Sequence, residues 1–188
     1  MTWVVLPDSG PLGKIIHPNP DVREKAAEIC NFISNNRFYF LIPEVIVIET
    51  ERGFENSESD FLYSSRQLRK YRKRKQILPI SEEDADLARM MEELLQKQGR
   101  PITDRSKIPS PDGMLMAQAI HLVRTHSYNK IIILTENYSD FFRLLDVCND
   151  QSKIDIWKYE DALADVNVLR EEGLLRITLS KEIISLSN

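Results

Sequence analysis

Short apolar runs alternate along the chain with longer stretches in which apolar residues recur every three or four positions. The runs Trp3–Leu6, Phe38–Ile42, Ile77–Ile80, Ile131–Leu134 and Ile154–Trp157 read as buried strands. Between them, Asp21–Asn35 places Val22, Ala26, Ile29, Cys30 and Ile33 at helical spacing. Ser81–Gln98 does the same with Ala85, Ala88, Met91, Leu94 and Leu95 before Gly99, and Ser81 with Asp84 forms a capping box in which Asp replaces Glu. Ser110, Pro111 and Asp112 supply a cap, a first-turn proline and an acid ahead of the apolar set Leu115, Ala119 and Leu122, with Met116, Ile120 and Val123 beside it. Strands alternating with helices predict an α/β fold: a three-layer α/β/α arrangement around a central, mainly parallel sheet of four to five strands. The polar loop Gln98–Pro109 is longer than the usual link between helices. Residues 1–159 are expected to form the main domain. Residues 160–188, a helix ended by Gly173 and a short strand Arg176–Leu179, are expected to pack on it as an extension.

Composition narrows the class. At 188 residues, 42% apolar and 29% charged, the chain can bury a substantial core as a soluble domain. No apolar run approaches the roughly 18 residues of a membrane span, and the N-terminus lacks a signal peptide's basic-then-apolar layout, so a cytoplasmic protein is expected. Cys30 and Cys148 have no metal spacing and read as reduced packing residues. The net charge of −4 excludes a generally basic nucleic-acid binder but not a local patch. One such patch exists: RQLRKYRKRK (Arg66–Lys75) holds seven basic residues in ten, with Tyr71 among them. Arg66, Arg69, Lys70, Arg72, Lys73 and Arg74 would suit RNA phosphates and Tyr71 an unpaired base; a solvated helix face would account for the same run.

The informative acids are those in apolar surroundings. Asp8 ends the strand VVLP, beside Ser9. Glu49 lies in PEVIVIETERG, flanked by Val45, Ile46, Val47 and Ile48. Asp112 falls in the first turn of the Met114–Val123 helix, and Asp140 lies in LTENYSDFF, beyond the strand KIIIL and near Thr135 and Asn137. Taken singly, each acid except Glu49 also suits a cap or turn. Three of the four sit at a strand's C-terminal end or a helix's first turn, and in a parallel sheet those ends share one edge. Gathered carboxylates raise one another's pKa and destabilise the fold unless a cation offsets them. An all-oxygen set without Cys or His points to Mg²⁺ or Mn²⁺ and to phosphoryl chemistry. His17, His121 and His126 show neither zinc nor nucleophile spacing. Asp84 and Asp86 suit a helix start, and Asp104 and Arg105 read as loop surface.

In four short motifs the chain resembles the PIN-domain ribonucleases, particularly the VapC-type toxins of bacterial toxin–antitoxin pairs. These are LPDSG, PEVIVIETERG, PDGMLMAQA and TENYSDF, in order across residues 3–158. The resemblance implies Mg²⁺- or Mn²⁺-dependent cleavage of RNA leaving a 5′-phosphate and a 3′-hydroxyl, by a homodimer inhibited by a small protein antitoxin. It implies that Asp8, Glu49, Asp112 and Asp140 bind metal and that Asn137 is an accessory ligand or positions water. Ser9 and Thr135 would support the ligands from behind. Pro7 departs from the motif, where an apolar residue is usual, and so do Gly113 and Met116. A non-catalytic scaffold that binds RNA or a protein is the alternative. A phosphatase of the haloacid dehalogenase type is discounted, because Asp8 is followed by Ser9 and Gly10 where that type needs Asp-x-Asp.

Overall fold

The computed structural model describes residues 2–101, 108–148 and 151–162. Six strands occur there: β1 (Trp3–Pro7), β2 (Tyr39–Phe40), β3 (Ile42–Pro43), β4 (Ile77–Leu78), β5 (Lys130–Thr135) and β6 (Ile154–Lys158). The α-helices along them are α1 (Ser9–Ile15), α2 (Pro20–Asn35), α3 (Glu44–Gly53), α4 (Glu58–Lys73), α5 (Glu82–Lys97), α6 (Pro111–Thr125) and α7 (Tyr138–Asp146). The expected C-terminal extension lies largely outside the described residues, as does much of the Gln98–Pro109 loop with Asp104 and Arg105.

The main sheet runs β2-β1-β5-β6, and every pairing in it is parallel. Alternation along its strands divides the core in two. Val4, Leu6, Ile131, Ile133, Ile154 and Ile156 join the large cluster, whereas Val5, Ile132, Leu134 and Trp157 join a smaller one with Ile29, Phe32 and Ile33 of α2. The large cluster takes buried residues from α1, α3, α4, α5, α6 and α7.

The expected PIN-like three-layer arrangement is therefore corrected. The two faces are covered unequally, with α2 dominating one and six helices converging on the other. The predicted strand Ile77–Ile80 does not enter the main sheet: only Ile77 and Leu78 extend, and they pair with β3 in a separate two-stranded ribbon. The predicted strand Phe38–Ile42 breaks at Leu41 into β2 and β3.

Pro7 fits that break. Asp8 N–H donates to Leu134 O of β5 at 2.9 Å, and Leu41 N–H donates to Val5 O on the opposite side of β1 at 3.1 Å. Alternation puts the amide position of Pro7 on Leu41's side, where the neighbouring strand ends, so the missing donor costs no ladder bond.

Local signals hold where caps and periodicity agree. Ser81 caps α5 by accepting from Asp84 N–H at 3.1 Å. Ser110 caps α6 by accepting from Gly113 N–H at 3.0 Å, with Pro111 at the first helical position. Ser81→Ala is expected to lower stability by about 1 kcal/mol, seen as a fall of a few degrees in thermal midpoint with no change in the folded circular-dichroism spectrum.

Candidate active site

Strand order places a functional crevice before any side chain is considered. From β1 the chain moves out to β2 on one side, while β5 and β6 extend the sheet on the other. The direction of winding thus changes between β1 and β5, and open parallel sheets bind ligands beyond the C-terminal ends of such a pair. Asp8 follows β1 and Thr135 ends β5.

Asp8 is buried (6% exposed) and serves as the N-cap of α1. Its Oδ1 accepts from Ser9 N–H at 2.6 Å, and its Oδ2 accepts from the Thr135 hydroxyl at 2.7 Å. Thr135, itself fully buried, also accepts from Asn137 N–H at 2.8 Å. One hydroxyl thereby ties the first acid to the loop that carries the last. Asn137 Nδ2 donates to Asp140 Oδ2 at 2.6 Å and to Asp112 Oδ2 at 3.4 Å. Asp140 also lies 3.2 Å from Arg143 Nη1, one turn along α7. Glu49 projects from α3, and its Oε2 is buried with no hydrogen-bond partner.

The four acids act on one another. Burial raises the Asp8 carboxyl above its ordinary range, with the Thr135 and Ser9 hydrogen bonds opposing it. Burial also raises Glu49 and the charge of Asp8 adds to it, while a Ser9 hydrogen bond and the charge of Arg52 oppose the rise. Asp112 is pushed up to about 7, first by burial and then by Asp8, Glu49 and Asp140, with the Asn137 hydrogen bond pulling the other way. Among the described residues, no three Asp, Glu, His or Cys side chains are placed so that they could together hold a metal ion as they stand. Burial leaves these carboxylates short of counter-charge. The donor set still fits a hard divalent cation: it is all oxygen, and Glu49 offers a buried oxygen that no protein donor satisfies.

The structure thus draws Asp8, Ser9, Glu49, Asp112, Thr135, Asn137 and Asp140 into one network. The basic run is separate. Arg66, Arg69, Lys70, Arg72, Lys73 and Arg74 are exposed on or just after α4, whose end leads to Gln76 beside β2. Tyr71 is half-buried against Phe40, with ring centres 5.9 Å apart, so it is not the free stacking face expected of it.

Sequence reading missed Lys14 and Glu136, which form an ion pair close enough for Glu136 to act on Asp8. Glu136 raises the pKa of Asp8, and Lys14 Nζ lies 4.5 Å from the Tyr159 ring centre. Gly10 permits this arrangement, since a Cβ there would stand 2.5 Å from Glu136 Oε2. Gly113 has a similar reason: its Cβ would meet Glu92 Oε1 at 2.4 Å, and Glu92 accepts from Ser110 N–H at 2.9 Å. Asp84, beyond its place at a helix start, is buried with His121 Nδ1 3.2 Å away and Gln118 Nε2 at 3.4 Å.

No family model and no curated protein matches the chain. Solved structures do match its fold. VapBC2 from Rickettsia felis bound to a promoter DNA fragment aligns with a TM-score of 0.54 at 16% identity, over 84% of this chain and 99% of that one. DNA-bound VapBC from Salmonella typhimurium gives 0.53 at 18% identity, over 85% and 99%. FitAcB from Neisseria gonorrhoeae gives 0.51 at 15% identity, over 74% and 92%. Identities this low establish the fold alone. The membership of the PIN-domain ribonucleases and their VapC-type toxins that the motifs suggested is corrected accordingly: no family model supports it, and these chains of VapBC and FitAcB assemblies share an architecture without assigning the chain to that family.

Proposed function

We propose that the chain is a divalent-cation-dependent nuclease that hydrolyses RNA phosphodiester bonds at the β1–β5 crevice. The observation that carries this reading is a set of four interacting carboxylates with one buried, unsatisfied oxygen on Glu49 and an Asp112 pKa raised to about 7. Asp8, Glu49, Asp112 and Asp140 would hold Mg²⁺ or Mn²⁺, with Asn137 beside them. When bound, such a cation neutralises charge on the attacked phosphate and acidifies water at neutral pH.

The chain's own residues prepare the site. Ser9 and Thr135 fix the two oxygens of Asp8. Asn137 holds Asp112 and Asp140 through one amide group. With its pKa pushed up to about 7, Asp112 is partly protonated near neutral pH, and a bound cation would compete with that proton. Thr135→Val removes the hydroxyl at nearly constant volume and frees both Asp8 and the Asn137 amide. It should slow cleavage by about 10- to 100-fold, the usual cost of losing a group that orients a ligand.

RNA is favoured as substrate by the exposed cations of α4. The likeness to VapBC and FitAcB assemblies, two of them DNA-bound, supports membership of a toxin–antitoxin pair with a second small protein as partner. The test is cleavage of end-labelled single-stranded RNAs with Mn²⁺, Mg²⁺ or EDTA. Cleavage with either metal and none in EDTA is expected. No cleavage of any RNA by a preparation that calorimetry shows to bind metal would favour the scaffold reading.

A further inference from the structure

Among the described residues, one concave feature lies away from the carboxylates. A groove of about 560 Å³ is lined by Phe38, Tyr39, Tyr128, Arg74, Lys75 and Gln76, among others. Tyr39 opens β2 and pairs with Val4 near the start of β1, and Tyr128 stands two residues before β5. The groove is thus at the N-terminal side of the parallel strands. Asp8 is four residues further along β1 than Val4, roughly 13 Å away at strand rise.

The lining has the chemistry of a nucleobase platform. Tyr39 is 55% exposed, its ring centre 6.2 Å from that of Tyr128. His126 stacks on Tyr128 at 5.3 Å, with ring planes 14° apart. Three rings therefore follow one another, two of them lining the groove, and Tyr39 and His126 are exposed. Cations frame them. Arg74 and Lys75 are exposed, form no ion pair among the described residues, and end the basic run of α4. Both chain reversals beside the groove hold a basic residue in left-handed backbone, Arg37 (φ 57°) and Lys75 (φ 56°), where glycine would be the less strained choice. Gln76 supplies a polar group: its Nε2 donates to Phe40 O at 3.0 Å, while its Oε1 is buried and accepts no hydrogen bond within the protein.

We propose that this groove binds unpaired bases of single-stranded RNA, with the exposed Tyr39 ring as the stacking face, Tyr128 backing it, and Arg74 and Lys75 on the phosphates. An acidic peptide would use the two cations but would leave the exposed ring array unused. Stacked aromatics beside a basic track are the sequence-tolerant recognition device of single strands. The proposal rests on RNA as the substrate and adds a second point of attachment, at the opposite edge of the sheet from the cut.

The test is fluorescence anisotropy of a labelled single-stranded RNA in EDTA, where no cleavage interferes. Tyr39→Ala/Tyr128→Ala should weaken binding at least tenfold. Arg74→Glu/Lys75→Glu should weaken it and lower the slope of log affinity against log salt by roughly 0.7 per lost phosphate contact. The second pair is exposed, so it reads the groove even where the aromatic pair disturbs packing. Affinity within twofold of the parent in both double variants overturns the proposal, as does a change of oligomeric state by sedimentation with RNA affinity intact. A protein that binds RNA through these residues yet cuts none keeps the groove and sinks the nuclease reading alone.

Discussion

Asp8→Asn is expected to give a folded protein whose metal-dependent RNA cleavage falls by about 10³-fold. Replacing one carboxylate oxygen with an amide removes a full negative charge from the centre of the cluster. A cation at a transferring phosphate supplies several kcal/mol of charge stabilisation, and about 4 kcal/mol corresponds to three decades in rate. The fold should tolerate the change. Asn is as good an N-cap as Asp, so α1 keeps its start, and the side-chain carbonyl can still accept from Ser9 N–H. The Thr135 hydroxyl loses its acceptor, a cost of about 1 kcal/mol. Removing a buried, poorly compensated charge offsets that cost. The measurement pairs initial cleavage rates with thermal melts. A rate within tenfold of the parent, with the melt unchanged, would remove Asp8 from the site and the proposed chemistry with it.

Why these acids were visible in the sequence is a matter of where each sits. Asp8, Asp112 and Asp140 stand at element boundaries that hydrophobic periodicity marks on its own, and a parallel sheet brings such boundaries to one edge. Glu49 was found for a different reason, which holds only in part. Its apolar neighbours implied uniform burial, yet α3 buries Ile46 and Val47 and leaves Ile48 exposed by 40%. What marks Glu49 is its unsatisfied oxygen.

Two things were not legible. The stretch Asp8–Pro11 reads as a turn because Asp, Ser, Gly and Pro are turn residues. The same residues also begin a helix, and the reading as a turn hid α1 together with Lys14. The aromatic groove was hidden because its rings come from separate segments, around Phe38 and around Tyr128, that no local window joins. The one aromatic inside the basic run, Tyr71, drew attention and turned out to be packing against Phe40.

The metal-free protein should lose stability as pH rises from 5 to 8, and Asp112→Asn should abolish most of that loss. The folded-state pKa of Asp112 is about 7, against an ordinary value of 3.8. Between those values the folded chain holds a proton that the unfolded chain has released. Stability then falls with pH through that window and levels off above it. Asp8 and Glu49 are raised as well and add to the same trend. Each pKa unit is worth about 1.4 kcal/mol, so Asp112 alone sets a ceiling of about 4 kcal/mol. Partial solvation and coupling to its neighbours reduce this to roughly 2 kcal/mol, about 5 °C in thermal midpoint for a chain of this size. Asn at position 112 carries no titrating charge and keeps the Asn137 contact within reach. The metal-free variant should therefore melt higher than the parent at pH 8 and nearly with it at pH 5. Mg²⁺ or Mn²⁺ should act in the opposite sense, stabilising the parent more at pH 8 than at pH 5, because a cation competes with the proton for the same oxygens. Asp112→Asn should respond weakly to metal at both values. Parallel melting curves for the two proteins across pH, or equal metal stabilisation in both, would show that Asp112 neither holds a proton near neutrality nor exchanges it for a cation.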